Sequence, residues 1–367
     1  MRYTIPLSYN PIEVDHLADT LKRYQGVHHN QLIADFEDAM CRITGSPYAV
    51  ALNSGTAAIH LALKVLGITK GDYVLAPTFT YVATINPILY QGANPVLIDS
   101  ENTTWNMDPD LVEEAIGKLK AEGKKPKAMV VVHTYGMPSQ MDRLLEIARR
   151  EGILVLEDAA ESLGSSYYNQ MVGTLGDVGV YSFNNNKVVT TYGGGILVTK
   201  NPEWASKVRF WANQSREDLP YYDHHETGYN YAMGPLNAAA GLSQLPDLQD
   251  KVNTRRGHAH AYRSVLEKTG VTFQTEMPGM QANRWFSTCL FQDEATHNRV
   301  SSVLEANGIE TRPLWRPMHQ QPVFSQFESI NRGVAEDYFR RGICLPSGNA
   351  LTPADRDKVI GLVKETL

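Results

Sequence analysis

Cysteine is scarce in this chain: three residues in 367, Cys41, Cys289 and Cys344, an odd number with no metal-like spacing. That argues against a disulfide framework and a cysteine metal site, and for a reducing, cytoplasmic setting. Long apolar runs are missing too. The N-terminus, MRYTIPLSYNPIEVDHL, has prolines and acids where a signal peptide needs an apolar core, and no later stretch is long enough to span a bilayer. Nor is there an excess of positive charge. The formal net charge is -6, so no global field draws nucleic acid or anionic membrane, and a phosphorylated ligand must be held by local donors. No G-x-G-x-x-G follows the first strand pattern, which argues against plain nucleotide binding on a Rossmann sheet.

What is present is an ordinary globular balance, 43% hydrophobic and 20% charged residues, long enough for one large and one small domain. From about residue 49, short apolar runs alternate with amphipathic stretches. Residues 49–52, 73–75, 95–98, 128–132 and 153–156 read as buried strands. A helix carrying Ala58, Leu61, Ala62 and Val65 on one face follows the first of them, and another helical stretch covers 141–151. Strands alternating with helices predict a mostly parallel sheet covered on both faces, with ligands just beyond the strands' carboxyl ends. After about residue 245 a charged helical region (248–268) leads into shorter strands and helices. The expected division is therefore a large domain over 1–245 and a smaller α/β domain over 246–367.

Four features fall at strand ends. The turn Asn53-Ser54-Gly55-Thr56 offers free N–H groups and hydroxyls to a phosphate, although a plain serine cap would look the same. The segment Pro77-Thr78-Phe79-Thr80-Tyr81 provides an aromatic that either stacks on a planar ligand or packs in the core. Asp158, in LEDAAESLGS after the strand at 153–156, is placed to face a ring nitrogen or to cap a helix. The run YSFNNNK then ends in Lys187, followed by VVTTYGGG. A lysine there can attack an aldehyde, Ser182 can donate to a phosphate, and Gly193 to Gly195 permit close backbone approach. Each alone has a bland explanation. Their order on one sheet is that of a fold-type I pyridoxal phosphate enzyme.

The segments NSGTAAIHLAL, APTFTYVATINPIL, LEDAAESLGS, GDVGVYSFNNNK, TTYGGGILVT, GYNY, ETRPLWRPMHQQP and RRGICLPSG resemble the DegT/StrS-type sugar aminotransferases, over essentially the whole chain. The resemblance implies a fold-type I transferase with a mixed, mostly parallel seven-stranded sheet and a smaller C-terminal α/β domain. It implies pyridoxal 5'-phosphate as cofactor, no metal, and a homodimer with shared active sites. Carried over by position, Lys187 is the lysine that bonds the cofactor, Asp158 the partner of its ring nitrogen and Tyr81 the stacking ring. Gly55, Thr56, Ala57 and Ser182 hold the phosphate, together with Asn230 of the partner subunit. Glu161 lies beside the phenolic oxygen, and Trp315, Arg316 and His319 come near the sugar nucleotide.

The implied reaction moves an amino group from L-glutamate to a nucleotide-linked keto sugar, for cell-surface polysaccharide or glycan biosynthesis. The closest likeness is to enzymes acting at C4 of UDP-4-keto-6-deoxy-N-acetylglucosamine. A dTDP- or GDP-linked keto sugar and a catalytically silent, cofactor-binding regulator are the alternatives. The related sugar dehydratases carry histidine in place of the lysine, so Lys187 argues against that branch. Two positions depart from the family pattern. Asn185 replaces a glycine, which its tolerance of left-handed backbone should absorb. Ala232 stands where GYNY is usually followed by an arginine able to pair with a carboxylate. Arg209, Arg216 and Arg312 are the residues available to compensate.

Overall fold

The computed structural model describes residues 3–367. The expected strands form, with β1 at Tyr48–Leu52, β2 at Tyr73–Pro77, β3 at Asn94–Ile98, β4 at Pro126–Val132 and β5 at Leu154–Asp158. A small hairpin, β6 (Ser166–Tyr167) and β7 (Gln170–Met171), precedes β8 (Val178–Ser182) and β9 (Gly195–Thr199). Seven of these make the main sheet, in the order β1-β9-β8-β5-β4-β2-β3. Neighbours from β8 to β3 are parallel, and β9 alone runs against both β8 and β1. The sheet therefore has the mixed, mostly parallel form expected.

It gains an eighth strand that the sequence does not announce. Beyond β10 (Thr272–Phe273), β11 (Met280–Gln281), β12 (Ser287–Leu290) and β13 (Arg312–Pro313), the two-residue β14 (Ser329–Ile330) pairs parallel with β3. Two residues are too few for a period-2 pattern to register. With β15 (Gly342–Leu345), the strands β10, β12 and β13 form a separate antiparallel sheet of four.

Both faces of the main sheet are buried, which is why its strands read as continuous apolar runs rather than alternating ones. In β4, Ala128 and Val130 belong to one core cluster and Met129 and Val131 to the other. The second sheet has its own core, in which Phe273, Cys289, Ile343 and Leu345 pack with Val300, Leu304, Val359 and Val363. Between the two sheets runs the long helix Leu248–Leu266, entered through a short turn at Leu245–Asp247. We propose this turn as the domain junction.

The parallel arrangement gathers the carboxyl ends of β1, β2, β4, β5 and β8 on one edge. Asp158 ends β5 and Ser182 ends β8. Ser54 caps the helix Gly55–Val65 two residues after β1 ends.

Candidate functional site

Beyond that edge lies a cavity of about 780 Å³. Its lining includes Gly55, Thr56, Tyr81, Asp158, Glu161, Ser182, Lys187, Trp315 and Arg316, nine of the residues singled out from the sequence. Ala57, Asn230 and His319 do not line it.

The helix Gly55–Val65 starts with the Ser54 hydroxyl accepting from the Ala57 N–H at 3.1 Å. That N–H is already used by the cap, while the first-turn N–H groups of Gly55 and Thr56 have no partner within the helix and face the cavity end. Gly55 is needed for closeness: a Cβ there would stand 3.1 Å from the Ser182 Cβ and 3.3 Å from its hydroxyl. Across the same turn, a Cβ on Gly195 would sit 2.4 Å from the Ser54 carbonyl oxygen. The glycine run thus lets β9 press against the phosphate-type turn. The positive φ values here belong to Tyr192, Gly193 and Gly194. Asn185 has a negative φ, so the left-handed tolerance anticipated for it is not used; the unusual backbone falls on Tyr192, Gly193 and Gly194 instead.

Asp158 is buried at the floor. Its Oδ2 accepts from the Thr84 hydroxyl at 2.8 Å and its Oδ1 from the Ala160 N–H at 3.1 Å. Both donors are neutral, and burial raises the carboxyl's pKa. Thr84 lies two residues into the helix Val82–Tyr90, in a stretch whose only evident sequence signal was aromatic. Tyr81, 57% exposed, stands at the start of that helix with its ring tilted 45° to the Trp315 ring at 6.4 Å. An open aromatic face at the mouth is free to stack.

Lys187 and Glu161 meet in the wall. The lysine amine is 3.4 Å from Glu161 Oε1 and 3.9 Å from the centre of the Trp285 ring. The lysine side chain is 12% exposed and that of the glutamate 6%. Glu161 Oε2 accepts from the Tyr135 N–H at 2.8 Å. Burial pushes the carboxyl up to about 7, with the Lys187 charge and that N–H acting against it. Tyr135 reaches this place with φ at 56°, an uncommon value for a non-glycine residue that no sequence pattern marks. Its ring, fully buried, stacks on Trp315 at 4.3 Å. Thr84, Tyr135 and Trp285 are therefore residues of the site that sequence reasoning passed over.

His319 is engaged elsewhere. Its Nδ1 is 2.7 Å from the Thr78 hydroxyl and its Nε2 is 3.0 Å from Glu336. Asn230 is exposed, and its carbonyl accepts from Asn53 Nδ2 at 3.0 Å. Of the three arginines weighed against Ala232, Arg209 is paired with Glu37 and Arg216 lies over the Tyr222 ring. Arg312 alone lines the cavity, bonded at 2.7 Å to Glu310. The Ala232 N–H itself donates to the Ala212 carbonyl.

A family model described as the DegT/DnrJ/EryC1/StrS aminotransferase family matches residues 11–364. The chain belongs to that family. It is 42% identical over 334 residues to the proposed pyridoxal phosphate-dependent aminotransferase EpsN of Bacillus subtilis, covering 90% of this chain and 86% of the relative. It is 35% identical to the GDP-perosamine synthase of Caulobacter vibrioides, covering 92% and 90%. A solved DegT DnrJ EryC1 StrS aminotransferase from Brucella abortus superposes with a TM-score of 0.90 at 28% identity, over 96% of this chain and 95% of that one. The protein is a pyridoxal phosphate-dependent aminotransferase of fold type I.

The donor set fits that cofactor. A carboxylate buried against two neutral donors, as Asp158 is, lacks a bonded counter-charge, which a protonated ring nitrogen supplies. Free N–H groups at a helix start beside Ser182 suit its phosphate. No group of three or more His, Cys, Asp or Glu side chains among the described residues is placed to hold a metal ion.

Proposed function

We propose that the protein transfers the amino group of L-glutamate to the keto carbon of a nucleotide-linked sugar, with C4 of UDP-4-keto-6-deoxy-N-acetylglucosamine as substrate. The observation that carries this reading is the Lys187 amine, nearly buried in the cavity wall, with the Asp158 carboxylate in the floor of the same cavity. Bound pyridoxal phosphate supplies an aldehyde that reacts with amines and a ring that draws electrons from the amine-bearing carbon.

The chain's own residues do the rest. Gly55, Thr56 and Ser182 would hold the phosphate, and Tyr81 would cover the ring. Asp158 would keep a proton on the ring nitrogen. Glu161, whose own proton is retained up to about pH 7 by burial, donates to or accepts from the phenolic oxygen. Lys187 would be the amine that bonds the cofactor and, when free, the base that carries a proton at the amine-bearing carbon. Trp315 and Arg316 at the mouth receive the sugar nucleotide. His319, held by Thr78 and Glu336, acts behind them by fixing the loop.

The same reading makes the protein a homodimer. Asn230, outside the cavity of its own chain, would reach the cofactor phosphate of a second copy, and the exposed Tyr81 would be covered there. A cytoplasmic setting goes with this reading, and no helix among the described residues is long and apolar enough to cross a membrane. A GDP-linked keto sugar is the second reading, favoured by relatives named GDP-perosamine synthase at 35% identity.

Incubation with glutamate and UDP-, dTDP- or GDP-linked 4-keto sugars tests both. Release of 2-oxoglutarate with a mass gain on the UDP sugar is the expected result. An aminated GDP sugar alone would replace the UDP assignment. No 2-oxoglutarate with any sugar, and a cofactor spectrum indifferent to glutamate, would overturn amino transfer.

A further inference from the structure

Arg255, on the long helix Leu248–Leu266, is completely buried, yet among the described residues its guanidinium bonds no carboxylate. Its Nε donates to Asn349 Oδ1 at 3.0 Å, its Nη2 to Asn10 Oδ1 at 2.7 Å, and its Nη1 to the Trp285 carbonyl. Burial alone lowers its pKa, to about 9. A buried cation without a counter-charge is costly to keep, and an apolar residue in its place would often be neutral or stabilising. Something other than stability should account for it.

The three acceptors sit on three separate segments, and two of those segments continue to the Lys187 turn. Asn10 Nδ2 donates to the Lys187 carbonyl at 2.9 Å and to the Asn186 carbonyl at 3.3 Å. Trp285 Nε1 donates to the same Asn186 carbonyl at 2.8 Å, and its ring faces the lysine amine. Asn349 closes the loop by donating its N–H to Asn10 Oδ1 at 3.2 Å. The planar fork of a guanidinium fixes the directions of all three bonds at once, which a lysine ammonium does not.

We infer that Arg255 is a positioning residue for Lys187, fixing the lysine's backbone through Asn10 and the wall under its amine through Trp285. This rests on the reading of Lys187 as the amine that captures the cofactor. In that step the amine adds to the aldehyde carbon, a carbon–nitrogen double bond forms, and the carbonyl oxygen leaves as water with the two amine protons. Addition demands a near-attack placement, so a loosened turn slows it while leaving the fold intact.

The test uses the full-length protein stripped of cofactor. Capture of added pyridoxal phosphate is followed by visible absorbance, with borohydride trapping and peptide mapping to locate the bond. The variants are Arg255→Lys, Asn10→Ala and the two combined. Val359→Ala, in the core of the second sheet, controls for lost stability. Arg255→Lys and Asn10→Ala should each slow capture about tenfold. The double variant should be no slower than the slower single one, because both act through one path, and Val359→Ala should lower Tm without slowing capture. Wild-type capture by folded Arg255→Lys, or rates that multiply in the double variant, would overturn the inference alone. Should Arg255→Lys not fold, capture by Asn10→Ala at the Val359→Ala rate overturns it equally. Trapping of wild type on another lysine would remove the reading of Lys187 and this inference together.

Discussion

The Lys187 amine and the Glu161 carboxylate stand 3.4 Å apart in a wall that solvent barely reaches. Among the described residues, neither is at bonding distance of any other charged side chain. Burial is the stronger influence on the glutamate and takes its pKa from 4.5 to about 7. Since the folded state then binds more protons than the unfolded chain between about pH 4.5 and 7, this group stabilises the fold fully below that window. The contribution is lost as pH rises through it. The shift is worth about 3 kcal/mol. Glu161→Gln should therefore flatten the decline of Tm over this range in the cofactor-free protein, leaving the slope due to Asp158, whose pKa burial also raises. Thermal unfolding at half-unit pH steps reads this directly. An unchanged slope would place the proton elsewhere.

Asp158 and Thr84 separate charge from orientation. Asp158→Asn keeps the side chain's shape and an acceptor for the Thr84 hydroxyl but removes the negative charge proposed to face the ring nitrogen. Amino transfer should fall at least a hundredfold, the scale of losing a preorganised electrostatic group, while the visible band of bound cofactor persists. Thr84→Val leaves the charge and removes the 2.8 Å bond that aims it. A loss of about tenfold is expected, as for other orienting partners. Equal losses in kcat for the two variants would contradict the separation.

Much of this site was legible because its parts sit where a parallel sheet must present them, at or shortly beyond the ends of apolar runs. Asp158 and Ser182 end their strands and Lys187 follows Ser182 on the next turn; each alone had a bland explanation, and their order along one sheet pointed to the site. What stayed hidden depends on backbone geometry or on distant segments. Tyr135 holds a left-handed φ without being glycine or asparagine. Trp285 and Asn10 reach the Lys187 turn from outside the main sheet, and β14 is too short to show a period. His319 sits in a promising motif, but which way a loop histidine turns is decided by Thr78 and Glu336, which no spacing rule connects to it.

Gly195 offers a test of packing rather than chemistry. Its φ is unremarkable, so alanine is not strained by its own backbone, but the added Cβ would lie 2.4 Å from the Ser54 carbonyl oxygen and 2.6 Å from the Gly55 nitrogen. Backbone atoms cannot swing aside as a side-chain tip can. Gly195→Ala should cost about 2 kcal/mol by overpacking and push the turn out of register for a phosphate. Denaturant unfolding measures the first effect. Titration with pyridoxal phosphate measures the second, as weaker binding than the stability loss alone produces. Gly26→Ala, where a Cβ meets nothing within 4 Å but φ is +80°, should lose stability without weakening the cofactor.

Ala232 stands where the resemblance implies an arginine for the proposed donor's carboxylate, and of Arg209, Arg216 and Arg312 only Arg312 lines the cavity. Its guanidinium is shared with Glu310 at 2.7 Å and is 55% exposed, so a second carboxylate can reach it without breaking a buried pair. Charge-assisted contacts of this kind contribute roughly 1.5–3 kcal/mol. Arg312→Ala should accordingly raise the KM for glutamate about tenfold or more and leave the KM for the keto sugar nearly unchanged. Arg209→Ala removes a guanidinium committed to Glu37 and the Ala49 carbonyl. It should lower Tm and leave both KM values alone. If Arg312→Ala raises the sugar KM instead, the guanidinium serves the nucleotide diphosphate, and the donor is held without an arginine from this loop.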